Sequence, residues 1–119
     1  MAGARRVGSK TSATRLRVLE IAERLMFDEG YAAARACALL QLAVLHKHLG
    51  SLSKVQGILT VNGYVNSVAG FADSPKVING ASDLFLAVFG KTGHHVRAAI
   101  GVSGLPRHAL VELQMTVEV

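Results

Sequence analysis

Arg97 and Glu112 are the residues of this sequence whose types and settings point most directly to chemistry. Arg97 stands at the start of an apolar, strand-like run, and a Leu105-Pro106 turn separates it from a second run in which Glu112 lies among apolar neighbours. A guanidinium is planar, permanently charged and forks two donors toward one carboxylate, so an arginine on a small apolar sheet suits a carboxylate clamp. The plainer alternatives are an Arg97 paired with an acid as scaffold and a Glu112 solvated at a sheet edge. The other reactive side chains carry less. His94 and His95 are adjacent and diverge on entering a strand, and His108 completes no recognised metal-ligand spacing with them and Glu112, so no metal site is expected. His46-Lys47-His48 reads as a solvated helix end, where cations complement the dipole. Cys37 lies in an Ala/Leu-rich pattern and reads as a small buried hydrophobe rather than a nucleophile. No strand-turn-helix elbow motif supports a Ser-His-Asp triad.

The elements that position these residues belong to a chain of 119 residues, the size of one compact domain. Half of it is hydrophobic and 18% is charged, which permits a real core. With no Trp and only 5% aromatic residues, stacking on bases is not a compositional theme. The net charge of +5 is uneven: residues 1–17 carry five Arg/Lys and no acid, whereas residues 31–119 carry seven against four. That places the basic excess partly in a tail and makes it weak evidence for nucleic acid. One cysteine excludes an intrachain disulfide and fits a reducing compartment. The N-terminus shows no secretory pattern, and the longest apolar stretch, around Ala36–Leu45, is too short to span a bilayer, so a cytoplasmic protein without a membrane partner is expected.

Residues 1–10 are small and basic and read as a disordered tail. From Thr11 a helical pattern carries Leu16, Leu19, Ala22, Leu25 and Met26 on one stripe, with Gly30 as its C-terminal stop. Tyr31–Leu49 reads as a second helix with Ala34, Cys37, Ala38, Leu42 and Leu45 apolar. Val55–Val68 is strand-like. Asn62-Gly63 inside it is a hairpin signal, although one long strand with an irregularity at Gly63 is favoured. Asp73-Ser74-Pro75 begins a helix whose apolar stripe is Val77, Ala81, Leu84, Phe85 and Val88, with Asn79-Gly80 a weak point and Gly90 the end. Val96–Val102 and Ala109–Val119 are strands. The second alternates, with Val111, Leu113, Met115, Val117 and Val119 on one face and Glu112, Gln114, Thr116 and Glu118 on the other.

Residues 31–119 resemble the YjgF/RidA family in a colinear set of stretches: GYAAARACALL from Gly30, LGSLSKVQ from Leu49, YVNSVAGF from Tyr64, PKVINGASDLF from Pro75, HVRAAIGV from His95, Leu105-Pro106 and Val111-Glu112-Leu113. The resemblance implies an α+β, chorismate-mutase-like (RidA-type) sheet packed by two helices, in a homotrimer with small-molecule pockets between subunits. It also implies an enamine/imine deaminase that needs no cofactor and converts 2-aminoacrylate-type intermediates to a 2-keto acid and ammonia. By that pattern Arg97, eight residues before the Leu-Pro pair, binds the carboxylate of a small imino or keto acid, and Glu112 is the catalytic residue that places or activates water. Ala99 stands where the deaminase branch often has cysteine, and Gln114 replaces a second acid. The family's first strands have no counterpart here, and an extra helix is expected in their place.

That helix, residues 9–33, resembles the first helix of a TetR-type transcriptional regulator, with the seam near Gly30. No recognition helix follows, so specific DNA binding is not expected. The expected organisation is therefore a basic tail (1–10), a TetR-like helix (11–30) and a RidA-like domain (31–119). The alternatives are a DNA-binding regulator fragment and an inactive fusion product with an unpaired sheet edge.

Overall fold

A computed structural model describes the backbone of residues 2–119 and the side chains from residue 13 onward, except those of residues 19, 22, 23 and 26. One long helix, α1 (Ala2–Leu49), precedes strand β1 (Gly57–Asn66), helix α2 (Ser74–Phe89) and strands β2 (Val96–Val102) and β3 (Val111–Glu118). The sheet order is β2-β1-β3, with β1 parallel to β2 and antiparallel to β3. Both helices pack on one face of this mixed sheet, which is the α+β arrangement expected.

Helix α1 departs from expectation in being unbroken. It takes in the stretch read as a disordered tail, where Ala and Arg favour helix and no proline interrupts it. It also runs through Gly30, which is not a stop. A Cβ at Gly30 would lie 2.9 Å from Val77 on α2, so the glycine marks a close helix–helix approach. Gly30, Ala34, Ala38 and Leu42, spaced four apart, form the buried stripe that α1 lays on the body. The earlier turns bury little: Leu16 and Leu25 are exposed, and the other expected stripe members, Leu19, Ala22 and Met26, lie outside the described side chains.

Helix α2 is the centre of the packing. Pro75 sits in its first turn, and Val77, Ile78, Ala81, Leu84 and Phe85 are buried. Gly80 is no weak point, because a Cβ there would collide with the Tyr31 carbonyl of α1. On the sheet side, Gly63 admits Ile78, whose side chain would lie 2.5 Å from an added Cβ. Asn62-Gly63 is therefore neither a turn nor the irregularity of β1; the register shift falls between Ile58 and Thr60. Ile58, Val61 and Val65 of β1 and Val111 and Leu113 of β3 complete the core.

Helix α1 also covers part of the β3 edge. The Leu110 and Glu118 carbonyls turn toward the β1 side, where they accept from Asn66 and Gln56, so the odd-numbered carbonyls of β3 face outward. Gln41 Nε2 donates to Leu113 O at 2.9 Å, and the Cys37 thiol lies 3.8 Å from Val111 O. Burial holds the Cys37 thiol above the usual thiol range, in keeping with a packing role.

Gly→Ala inside an exposed helix stabilises by about 1 kcal/mol. At Gly80 the sign reverses: Gly80→Ala should destabilise the fold by about 1–3 kcal/mol, the cost of overpacking, as measured by urea denaturation.

Candidate functional site

Strand β2 and the residue before it alternate, with His95, Arg97 and Ala99 turned toward α2 and Val96, Ala98 and Ile100 turned out. Arg97 pairs in register with Val61 of β1, which is fully buried, so the arginine emerges at the rim of the core. Its Nη1 donates to Asn79 Oδ1 at 2.7 Å and to Ser82 Oγ at 3.2 Å, both on α2. These bonds fix the plane of the guanidinium and leave its other nitrogens without a protein acceptor among the described residues. No acid pairs with it either; the one ion pair among the described residues is Lys76–Asp73, at 3.7 Å.

Beside Arg97, the His95 ring stands edge-on to buried Phe85, with ring centroids 6.1 Å apart. Its Nδ1 is 2.6 Å from Gly93 O and its Nε2 is 2.9 Å from Ser82 Oγ. A carbonyl only accepts, so Nδ1 carries the hydrogen and, in the neutral ring, Nε2 accepts from Ser82. Asn79, Ser82, Asp83, Leu86, His94, His95 and Arg97 line an open hollow of about 230 Å³ over this cluster. The chemistry available there is a half-buried cation with free forked donors beside an imidazole.

Glu112 is elsewhere. It pairs with Tyr64 of β1, and its side chain is exposed on the sheet face opposite the helices, on the far edge strand from Arg97. Within one chain the two expected site residues do not meet. Gln114 neighbours Glu112 on that face and accepts a 3.3 Å bond from Tyr64. A larger hollow of about 350 Å³ lies between α1 and the start of α2, but Glu20, Arg24, Asp73 and Lys76 give it both charge signs and no convergent donor set. No group of three or more His, Cys, Asp or Glu side chains suited to a metal ion occurs among the described residues. His94 is exposed whereas His95 turns inward.

The Asn79–Ser82–His95 support of Arg97 was not identified from sequence. A partial signal was present, because residues i and i+2 of a strand share a face, which puts His95 with Arg97, and residues i and i+3 of a helix share a face, which puts Asn79 with Ser82. What sequence lacked was the pairing of those two faces.

The chain matches the family described as "YjgF/chorismate mutase-like, putative endoribonuclease" over residues 16–119. It is 44% identical to Protein TCP17 of Trypanosoma cruzi over 100 residues, which are 83% of this chain and 62% of that protein. Among solved structures it resembles the protein Atu1372 of Agrobacterium tumefaciens, described as of unknown function (TM-score 0.76, 41% identity, 78% of this chain and 60% of that one). It also resembles a "putative endoribonuclease" from Shewanella oneidensis (TM-score 0.74, 33% identity, 78% and 62%). The chain thus spans about three fifths of the length of these relatives. The match begins at residue 16 and crosses Gly30 without a seam, and α1 is continuous there. The expected TetR-like helix is therefore not supported: the family match covers residue 16 onward and runs through the expected seam.

At the rim of the hollow, Tyr31 donates to Asp83 Oδ2 at 2.8 Å, engaging that acid on the α1 side of α2. The bond to Asp83, with smaller contributions from desolvation and the Asp83 charge, raises the Tyr31 pKa above the usual phenol value. A raised phenol pKa contributes stability that is complete below the ordinary tyrosine range and lost as pH climbs through the folded value. In an ultraviolet titration Tyr31 should ionise above the ordinary range, and Asp83→Asn should bring it down.

Proposed function

The chain belongs to the YjgF/chorismate-mutase-like family, and on that premise we propose that it binds small carboxylate-bearing imino and keto acids at Arg97 and hydrolyses enamines and imines to 2-keto acids and ammonia. The observation that carries the proposal is the half-used guanidinium. One nitrogen of Arg97 is held by Asn79 and Ser82, the others lie beside an open hollow, and no acid neutralises them among the described residues. A carboxylate placed there receives charge-assisted, forked hydrogen bonds, which orient the carbon bonded to it. The hollow offers one arginine and an aliphatic Leu86 with no Phe or Tyr in its lining, which suits a small acid better than stacked bases.

A homotrimer belongs to the same proposal. Both helices lie on one sheet face, and the other carries exposed Val96, Ile100 and Glu112. Glu112 reaches an Arg97 pocket only if a neighbouring subunit brings this open face to it, and its proposed role there is to place the water. A cytoplasmic setting is proposed on the single free thiol of Cys37. No described helix is long and apolar enough to cross a membrane.

Purified protein should accelerate ammonia release from 2-aminoacrylate, and Arg97→Ala should lower kcat/KM by about 100-fold or more, as expected for a lost charge-assisted clamp. A wild type no faster than solvent would refute the hydrolase. Light scattering should give three times the 12.6 kDa chain mass.

A further inference from the structure

We propose that His95, acting through Ser82, is the proton carrier of the Arg97 pocket. The inference rests on the imine-hydrolase reading above and supplies the acid–base group that Arg97 cannot provide. Three side chains form one directed chain of hydrogen bonds. Arg97 Nη1 donates to Ser82 Oγ at 3.2 Å, Ser82 Oγ donates to His95 Nε2 at 2.9 Å, and His95 Nδ1 donates to Gly93 O at 2.6 Å. The last bond fixes the tautomer and leaves Nε2 as a base facing the pocket wall. Phe85 holds the ring from α2, while Asp83 and Lys91 are the nearest charged groups in sequence on α2 and on the following turn.

Geometry ties this chain to the reacting atom. In a 2-imino acid the carbon that water attacks is bonded directly to the carboxylate. Ser82 and Arg97 line the same hollow, so a carboxylate held by the free nitrogens of Arg97 leaves that carbon in the small space that Ser82 also lines. Ser82 Oγ has two acceptor positions; Arg97 occupies one, and the other accepts an O–H of water.

In the addition step the water oxygen bonds to the iminium carbon and the C=N pair moves to nitrogen. One water proton passes to Ser82 Oγ as the serine proton moves to His95 Nε2. In the collapse step His95 returns that proton through Ser82 to the amine nitrogen. The C–N pair departs with it as ammonia, and the carbinol oxygen forms the carbonyl, releasing its proton to solvent. Iminium and water thus give keto acid, ammonia and one proton. Within one chain Ser82 is the residue that touches the water, and His95 acts through it as a positioning and proton-holding residue.

The test is steady-state ammonia release from 2-aminoacrylate by the whole protein, with inhibition by 2-oxobutanoate as the binding readout. His95→Gln should lower kcat by about 100-fold, within the usual range for general acid–base groups, with the 2-oxobutanoate inhibition constant within about threefold of wild type. Ser82→Ala should lower kcat as much and, because it also removes a bond that holds Arg97, weaken 2-oxobutanoate binding. Exogenous imidazole should restore at least about a tenth of the lost rate to His95→Ala, which a merely structural histidine would not allow. Should the Gln and Ala variants fail to fold, His95→Asn keeps an N–H for the Gly93 carbonyl and is expected to be folded and equally slow. Wild-type kcat in a folded His95 variant, with Arg97→Ala inactive, would overturn the proton carrier and leave the hydrolase standing. An inactive wild type would remove both.

Discussion

Helix α2 is gripped from two sides more closely than a side chain at Gly80 or Gly63 would permit, and this double approach sets the rest of the molecule. On one side Gly80 lies under the Tyr31 carbonyl of α1, and on the other Ile78 fills the place a Cβ would take at Gly63 of β1. Neither contact survives a small rotation or slide of α2, because backbone and buried Ile78 cannot yield by the amount required. The orientation of α2 about its own axis is therefore fixed, and with it the direction of the Asn79 and Ser82 side chains.

That orientation turns two polar residues of a largely apolar helix toward the parallel edge strand β2. Buried hydroxyls and half-buried charges need partners. Here they partner each other, Arg97 with Asn79 and Ser82, and Ser82 with His95. The network satisfies Ser82, aligns the guanidinium, and still leaves forked donors facing a hollow of about 230 Å³. A fully paired arginine would be scaffold. A half-paired one, anchored through one nitrogen, is preorganised for an anion that binds through the others.

Much of this was legible in the sequence, for identifiable reasons. The alternation of Val111, Leu113, Met115 and Val117 gave the inward face of β3, and Asp73-Ser74-Pro75 gave the start of α2, since period and start signals are local. Arg97 was legible as a charge in an apolar strand. Gly30 and Gly63 misled, because a glycine that ends a helix or makes a turn and a glycine that admits a neighbour look identical until the neighbour is known. The same limit hid His95. Its role depends on a serine 13 positions earlier on another element, and no spacing within one element encodes that contact. Glu112 was legible as the polar face of β3, but which sheet face the helices leave open is a property of the assembled layers.

We propose that the packing of α2 leaves Arg97 preorganised as a carboxylate clamp. Proton–nitrogen NMR spectra of the arginine side chains, recorded while 2-oxobutanoate is added, test it most directly. One Nε–H resonance, absent from the spectrum of Arg97→Lys, should shift saturably while the other arginine signals stay in place. An Arg97 resonance that does not move at saturating ligand, or shifts shared equally by the arginines of α1, would contradict it.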